Sequence, residues 1–538
     1  KFGKIIRKLK PGEIVDQSSV SDFSLFEDNR LKHIDLSQTD YPYTIEFEYT
    51  LTRKYLYSIP KFQLYDDDEI TIQKSSFAIV YPAPLKPRYK VYKIGEPKIT
   101  TENNAEKMTW AFENIKPDKF EKLAPNHNVI PNIISAPIDF EFDGYVGKMD
   151  TWDNLGKWQI QLNAGRDNLP ELTKNKVKNL VRNASSVEEK VKLIYEYVQN
   201  KTRYVSIQRG IGGFQPFDAT SVDQLGYGDC KALSNYMVAL LKEVGIKGYY
   251  TQIYAGDDNK PVPKDFTIDY FNHIIVAVPN VADTIWLECT SQTNPFGYLG
   301  TFTGDRYALM ITETGGALVK TPSYNAEQNV QSRIAEVFVD ISGNAKAVVK
   351  TSYSGLQYEN GGLHFYVTSS SEEQKKWLHK TISIPSFEVK TFNMINKKDK
   401  IPSAIVNVDL ELKRWATVSG KRVFIVPNLM NRSAFVPEKI ETRKTSFVIK
   451  TPYYHVDTIR YSYPEQLYPE FTPESVKVKS PFGEYEASYN VDQGKLIYIR
   501  KFRMNRGEFP PESYKEFSEF YKNVNKADNT KIVFMSKT

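Results

Sequence analysis

The hydrophobic period of the sequence changes twice, and these changes divide the chain. From residue 1 to about 160 it reads as strands. "YPYTIEFEYTLTRKYLYSIP" (41–60) alternates apolar and polar residues at period two, as does "KDFTIDYFNHIIVAV" (264–278) further on. The clusters "LYDDDE" and "PAPLKPR" read as turns, and "PIDFEFDGYVGKMDTWDNLGKW" as a last hairpin and exit. From Leu169 the spacing becomes helical. "LPELTKNKVKNLVRNA" places Pro170 where a first helical turn accepts it. "SSVEEKVKLIYEYVQNKT" opens with the capping-box spacing Ser185-x-x-Glu188, and Val187, Val191, Ile194 and Val198 share one face. After the loop "QRGIGGFQPFDATSVDQLGYG" a third helix starts at Asp229-Cys230. Past about residue 326 the strand period returns. "AEVFVDISGNAKAVVKTSY" predicts a hairpin around Gly343-Asn344, and "SSSEEQKKWLHKTI" an embedded helix. "PPESYKEFSEFYKNV" puts Tyr514, Phe517 and Tyr521 on one helical face before a last strand, "KIVFMS".

A chain of 538 residues exceeds a single core, so several units are expected. Aromatic residues are 13%, with 35 Tyr and 30 Phe, which together with frequent Val, Ile and Thr favours β-structure. The expectation is a β-rich multidomain protein with a central α+β core. Its units are an N-terminal β-sandwich (1–164), the core (165–325), a β-rich domain (326–450) and a C-terminal β-rich segment with a short helix (451–538). No Gly/Ser- or Pro-rich linker separates them, so they are expected to pack on one another.

Charge and composition narrow the chemistry. The net charge of +6 (71 basic against 65 acidic residues) is small and spread out, and no nucleic-acid motif is present. The basic run "KFGKIIRKLK" reads as a solvated terminus rather than a lipid or partner contact. No run reaches the roughly 18 apolar residues of a membrane span. Two cysteines make no disulfide framework, and with six scattered histidines (33, 127, 273, 364, 379, 455) they give no metal-ligand spacing. "DDDE" (66–69) and "GDDN" (256–259) lack the spaced ligands of a calcium loop and read as turns. Glycines 210, 212 and 213 fit no phosphate-binding spacing and read as a close turn. No cofactor and no metal are expected.

The chemistry concentrates on Cys230. Asp229 is a good N-cap, and Gly245 a natural end, for a helix burying Leu233, Met237, Leu240, Leu241 and Val244. A thiol in the first turn meets unpaired N–H groups and the positive end of the helix dipole, which favour the nucleophilic thiolate. A thiolate nucleophile also needs a base and an orienting group. His273 begins the strand "HIIVAV" and Glu288 ends the strand "TIWLEC". Antiparallel pairing of the two would put both side chains on one face and turn Cys289 to the other. For the oxyanion, the N–H of Cys230 is one expected donor, with Gln208 and then Tyr204 as side-chain candidates.

Four segments, "YVSIQRGIGGFQP", "GDCKALSNYMVALLKEVGIKGYY", "NHIIVAVP" and "WLECTSQTNPFGYLG", resemble the transglutaminase-like superfamily over about residues 165–305. The likeness is to its bacterial branch, in which a β-sandwich domain of unknown function precedes the papain-like core. The resemblance implies a Cys230–His273–Glu288 triad, with Glu288 where the family usually has Asp, and Ala232 where relatives often have Asp. It implies cysteine-dependent acyl transfer on protein carboxamide or peptide bonds, with hydrolysis (protease or deamidase) favoured over crosslinking. The other expectation is an envelope scaffold or interaction subunit with a residual, non-catalytic core. The resemblance also implies an exported protein, periplasmic or at the cell surface, processed upstream of Lys1 and lipid-anchored before trimming. Protein or peptide substrates and envelope protein partners go with it.

Overall fold

The computed structural model describes residues 3, 5–19, 24–27, 30–125, 130–256, 260–281, 283–492 and 494–537, so His127, part of the basic terminus and all but Gly256 of the 256–259 run lie outside it. The N-terminal unit holds two three-stranded antiparallel sheets. One joins Ile72–Pro82, Ala105–Ile115 and Lys98–Glu102; the other joins Phe62–Gln63, Asn132–Ala136 and Arg88–Tyr92. Their inner faces close on Tyr81, Met108, Trp110 and Ile133. Phe62 stacks on Phe77 at 5.1 Å, and Tyr89 meets Trp110 edge-on at 5.3 Å, aromatic geometries that fill a sandwich core. Within "DDDE", Asp67 accepts the N–H of Glu69 and Asp68 that of Phe120, as in a turn.

The stretch 41–60 is not the expected strand. Among the described residues, 43–53 form no strand, and Ile45, Phe47, Tyr49 and Leu51 stay exposed. The hairpin Asp139–Phe142/Tyr145–Lys148 forms as read. Beyond the hairpin the chain enters a helix, α1 (Trp152–Asn163), capped by Thr151, whose hydroxyl accepts the N–H of Asn154 at 3.1 Å. α1 lies so close to the core sheet that a Cβ at Gly156 would sit 2.1 Å from the amide nitrogen of Gly316.

The core has α2 (Glu171–Leu180), α3 (Val187–Lys201), α4 (Ala219–Leu225) and α5 (Cys230–Glu243). Its five-stranded sheet has β1 (Tyr249–Ile253), β2 (His273–Pro279), β3 (Thr284–Leu287), β4 (Tyr307–Ile311) and β5 (Gly316–Lys320) in the order β3-β2-β1-β4-β5, all antiparallel. Pro170 is the N-cap of α2 rather than its first residue. The cap of α3 is shifted by one from the reading: Ser186 accepts the N–H of Glu189, and Glu189 takes the N–H of Ser185. Val191, Ile194 and Val198 are buried as expected, and Val187 is exposed. Residues 264–272 form a loop instead of extending β2; Trp152 Nε1 donates to the Lys264 carbonyl and Arg88 to that of Thr267.

Beyond the core, eight strands make one sheet: β6 (Val330–Val339), β7 (Ala345–Ser354), β8 (Phe387–Lys397), β9 (Ser403–Leu412), β10 (Tyr453–Ser462), β11 (Val476–Ser480), β12 (Gly483–Asp492) and β13 (Lys495–Met504). Their order is β8-β9-β7-β6-β10-β13-β12-β11. The parallel pair β6/β10 carries the sheet across the division expected at 450/451, so the last two expected units share one sheet. The helices α6 (Ser371–Thr381) and α7 (Tyr514–Asp528) form where read, and the last strand, Ile532–Ser536, joins a small four-stranded sheet.

The units are packed together. Lys90 pairs with Asp265 of the core at 2.6 Å. Glu121 accepts the N–H groups of Lys444 and Thr445, and Tyr298 donates to Glu359.

Candidate active site

Helix α5 is the element on which the site is built. Eleven of its fourteen residues are buried, and each large apolar side chain among them contributes about 1.5–3 kcal/mol, which fixes the helix in the core. Its start is set by Asp229, whose carboxylate accepts the N–H of Ala232 at 2.9 Å. Its end is set by Gly245, at φ +73°, with Ile246 donating back to the Leu241 carbonyl. Cys230 therefore occupies the first helical position. Beside it a second charge is buried: Lys231 Nζ lies 2.5 Å from the other oxygen of Asp229, so the capping carboxylate is neutralised inside the protein.

Strands β2 and β3 pair antiparallel with Val276 opposite Leu287 and Val278 opposite Ile285. This register puts Glu288, one residue past β3, on the face that His273 occupies at the start of β2. His273 Nε2 lies 2.9 Å from Oε2 and 3.1 Å from Oε1 of Glu288. The Cys230 side chain lies close enough to the same imidazole to act on its charge, and with Nε2 committed to the carboxylate, Nδ1 is the nitrogen left for sulfur. All three side chains are nearly closed off: Cys230 is 4% exposed, His273 8% and Glu288 6%.

The electrostatics follow from this geometry. Burial works against a charged His273, but the Glu288 carboxylate and the Cys230 sulfur outweigh it and raise the imidazole from 6.5 to about 10. Burial likewise disfavours the Glu288 anion, yet His273 and Thr290 hold the carboxyl below its usual range. Thr290 Oγ1 donates to Glu288 Oε1 at 2.6 Å and Tyr195 donates to the Glu288 carbonyl, so the acid is anchored at both ends. Phe302 packs edge-on against the imidazole at 5.3 Å. Thr290 and Tyr195 escaped the sequence reading; the only signal was a hydroxyl residue two positions after the acid, a spacing suited to a local side-chain turn.

The oxyanion candidates divide. Tyr204 packs against the cluster that contains Cys230, and its phenol is raised to about 12 by burial first and then by the sulfur. Gln208 is half-buried on the strand Ser206–Gln208, which pairs with Ser24–Glu27 of the N-terminal unit. Cys289 lies on the α5 face of the sheet among Leu233, Met237 and Val276, and both cysteines are free.

Residues 174–294 match the family model of the transglutaminase-like superfamily. Residues 1–119 and 421–534 match two models described as domains of unknown function with solved structure, DUF3857 and DUF3858. The chain thus carries a transglutaminase-like core between two domains of unknown function. A crystal structure of a "putative protease" from Parabacteroides distasonis superposes with a TM-score of 0.52 at 12% identity, over 90% of this chain and 75% of that one, and shows the same fold. A "putative cysteine protease" from Cytophaga hutchinsonii is 15% identical over 44% of this chain and 73% of its own, with a TM-score of 0.20. No curated protein matches the chain.

Proposed function

We propose that this core performs cysteine-dependent acyl transfer on protein carboxamide or peptide bonds. Cys230 is the nucleophile, His273 the acid and base, and Glu288 the group that orients and charges the imidazole. The observation that carries this reading is the contact of His273 Nε2 with both oxygens of Glu288, with the Cys230 sulfur near enough to help raise the imidazole. A thiolate paired with an imidazolium attacks the carbonyl carbon, His273 protonates the leaving amine, and water then hydrolyses the thioester. Hydrolysis is favoured over crosslinking by the fold-level likeness to a "putative protease". An exported, envelope-side setting with protein or peptide substrates goes with this reading. The test is digestion of β-casein by the purified protein beside Cys230→Ala. Cleavage or ammonia release by the wild type alone supports it; identical behaviour of the two defeats it.

One observation favours a second reading. Cys230 is only 4% exposed, in an apolar cluster shared with Tyr57 of the N-terminal unit and Phe266 and Ile268 of the loop before β2, so the described residues leave little of it open to a polypeptide. A core closed in this way suits an interaction subunit. Failure of a small alkylating reagent to reach Cys230 in the native protein would favour that reading over the enzyme.

A further inference from the structure

Tyr250 carries a polar group that the triad leaves unexplained. Its side chain is 4% exposed, and its hydroxyl is buried without a hydrogen-bond partner among the described residues. Native proteins leave few such groups, and an orphaned donor beside a reactive centre calls for a function or a ligand. Its position on β1 defines where it faces. Tyr250 lies opposite Val276, and Gln252 opposite Ile274, so Tyr250 leaves the sheet on the face covered by α5. There it joins the cluster that contains Cys230 and Ile274. Burial first, then the charges at Cys230 and Asp229, push the phenol well above its ordinary range, so it keeps its proton as a donor. The two side chains expected to serve the oxyanion are placed differently: Tyr204 packs at the margin of this cluster, only partly buried, and Gln208 lies on the strand that pairs with the N-terminal unit.

We propose that Tyr250 is a catalytic residue whose phenol O–H donates to the carbonyl oxygen of the acyl group attacked by Cys230, completing an oxyanion site with the Cys230 N–H. This rests on the acyl-transfer reading above. As sulfur bonds to the carbonyl carbon, the C=O π pair moves onto oxygen, and Tyr250 holds that oxygen without releasing its proton. When C=O re-forms, the bond to the leaving group breaks and a leaving amine takes its proton from His273. An empty oxyanion position accounts for an orphaned hydroxyl in the resting protein, because its acceptor arrives with the substrate.

The experiment compares two reactions at Cys230 in the full chain. Acylation by 4-nitrophenyl acetate passes through an oxyanion; alkylation by iodoacetamide is a direct displacement and does not. Tyr250→Phe removes only the orphaned hydroxyl. It is expected to slow acylation by about 10²–10³-fold, the effect of deleting one oxyanion donor, while leaving alkylation and the thermal midpoint unchanged. Equal slowing of both reactions, or of neither, overturns the role of Tyr250; the second result is the one expected if an ordered water satisfies the hydroxyl. Absence of both reactions at Cys230 in the wild type, with Cys230→Ala as the blank, instead overturns the acyl-transfer reading beneath it.

Discussion

Glu288 and Cys289 are chain neighbours that face opposite sides of the core sheet. Glu288 reaches the His273 imidazole with both oxygens, whereas Cys289 lies against α5, its thiol donating to the Leu287 carbonyl at 3.8 Å. The pleat of a single strand thus separates the acid from the second thiol. Both cysteines are equally enclosed, at 4% exposure each, so their difference is chemical.

That difference predicts unequal reactivity. Burial, and then the nearby Glu288 charge, push the Cys289 thiol far up, away from the thiolate. Cys230 has an imidazole to take its proton. In the native protein at neutral pH, iodoacetamide should modify Cys230 first and leave Cys289 unlabelled until the chain unfolds. Peptide mapping after limited alkylation reads the order, and labelling of Cys289 first would remove Cys230 from the role of nucleophile.

Glu288→Gln keeps the shape of the side chain and its contact with Thr290 but removes the anion facing His273. In the analogous serine triad this kind of change lowers turnover about 10⁴-fold. A similar loss is expected here on any substrate that Cys230→Ala fails to process. Retention of full activity would mean that Glu288 only packs the ring.

The parts of this site that could be read from sequence are those fixed by neighbours in the chain. Asp229 and Gly245 bound α5 by local hydrogen bonds, and the short connection between β2 and β3 sets the register that brings Glu288 to His273. Where long-range packing decides, the reading failed. Asp153, Asn154 and Gly156 look like turn residues, yet they lie in α1, which is held by close approach to Gly316. The alternation of Ile45, Phe47, Tyr49 and Leu51 shows which side chains would share a face but not whether a partner strand exists. The parallel pairing of Val330 with Tyr454 has no local signal at all. Tyr250 reads as an ordinary strand tyrosine, because its significance depends on the missing partner of its hydroxyl.

The His273–Glu288 pair also sets a pH dependence. Despite burial, the neighbouring carboxylate and sulfur raise the folded His273 to about 10, above the roughly 6.5 of an unfolded histidine. Its contribution to stability is therefore complete below about pH 6.5 and is lost as pH rises through about 10. Glu288, held low when folded, contributes above the ordinary carboxylate range and loses that contribution in acid. The stability advantage of the wild type over Glu288→Gln should thus be large near pH 6 and shrink by about pH 9. Thermal midpoints of the two proteins at both values test this; an advantage that grows with pH contradicts the ion pair.

The C-terminal sheet holds a charged network whose disruption should act on folding and spare the thiol. Asp528 on α7 accepts from Arg500 at 2.7 and 3.0 Å, from Tyr485 and Asn428 at 2.8 Å, and from the Ser433 N–H at 2.9 Å. Arg500 also reaches Asp457, which pairs with Arg333 at 3.2 Å, and all four charged side chains are buried. Asp528→Ala strands the Arg500 cation in the interior with one distant partner, a change that costs about 3–5 kcal/mol. It also loosens 428–433, the segment that Asp528 ties to α7. Replacing both members with apolar residues, Arg500→Met with Asp528→Leu, should do less damage than Asp528→Ala alone, because the desolvated charge is then gone. Urea unfolding followed by tryptophan fluorescence should show the loss, while the rate of Cys230 alkylation before the transition stays at the wild-type value. If Asp528→Ala unfolds within about 0.5 kcal/mol of the wild type, the network is incidental to the sheet and the apolar cluster around Tyr485, Tyr498 and Phe520 holds α7 by itself.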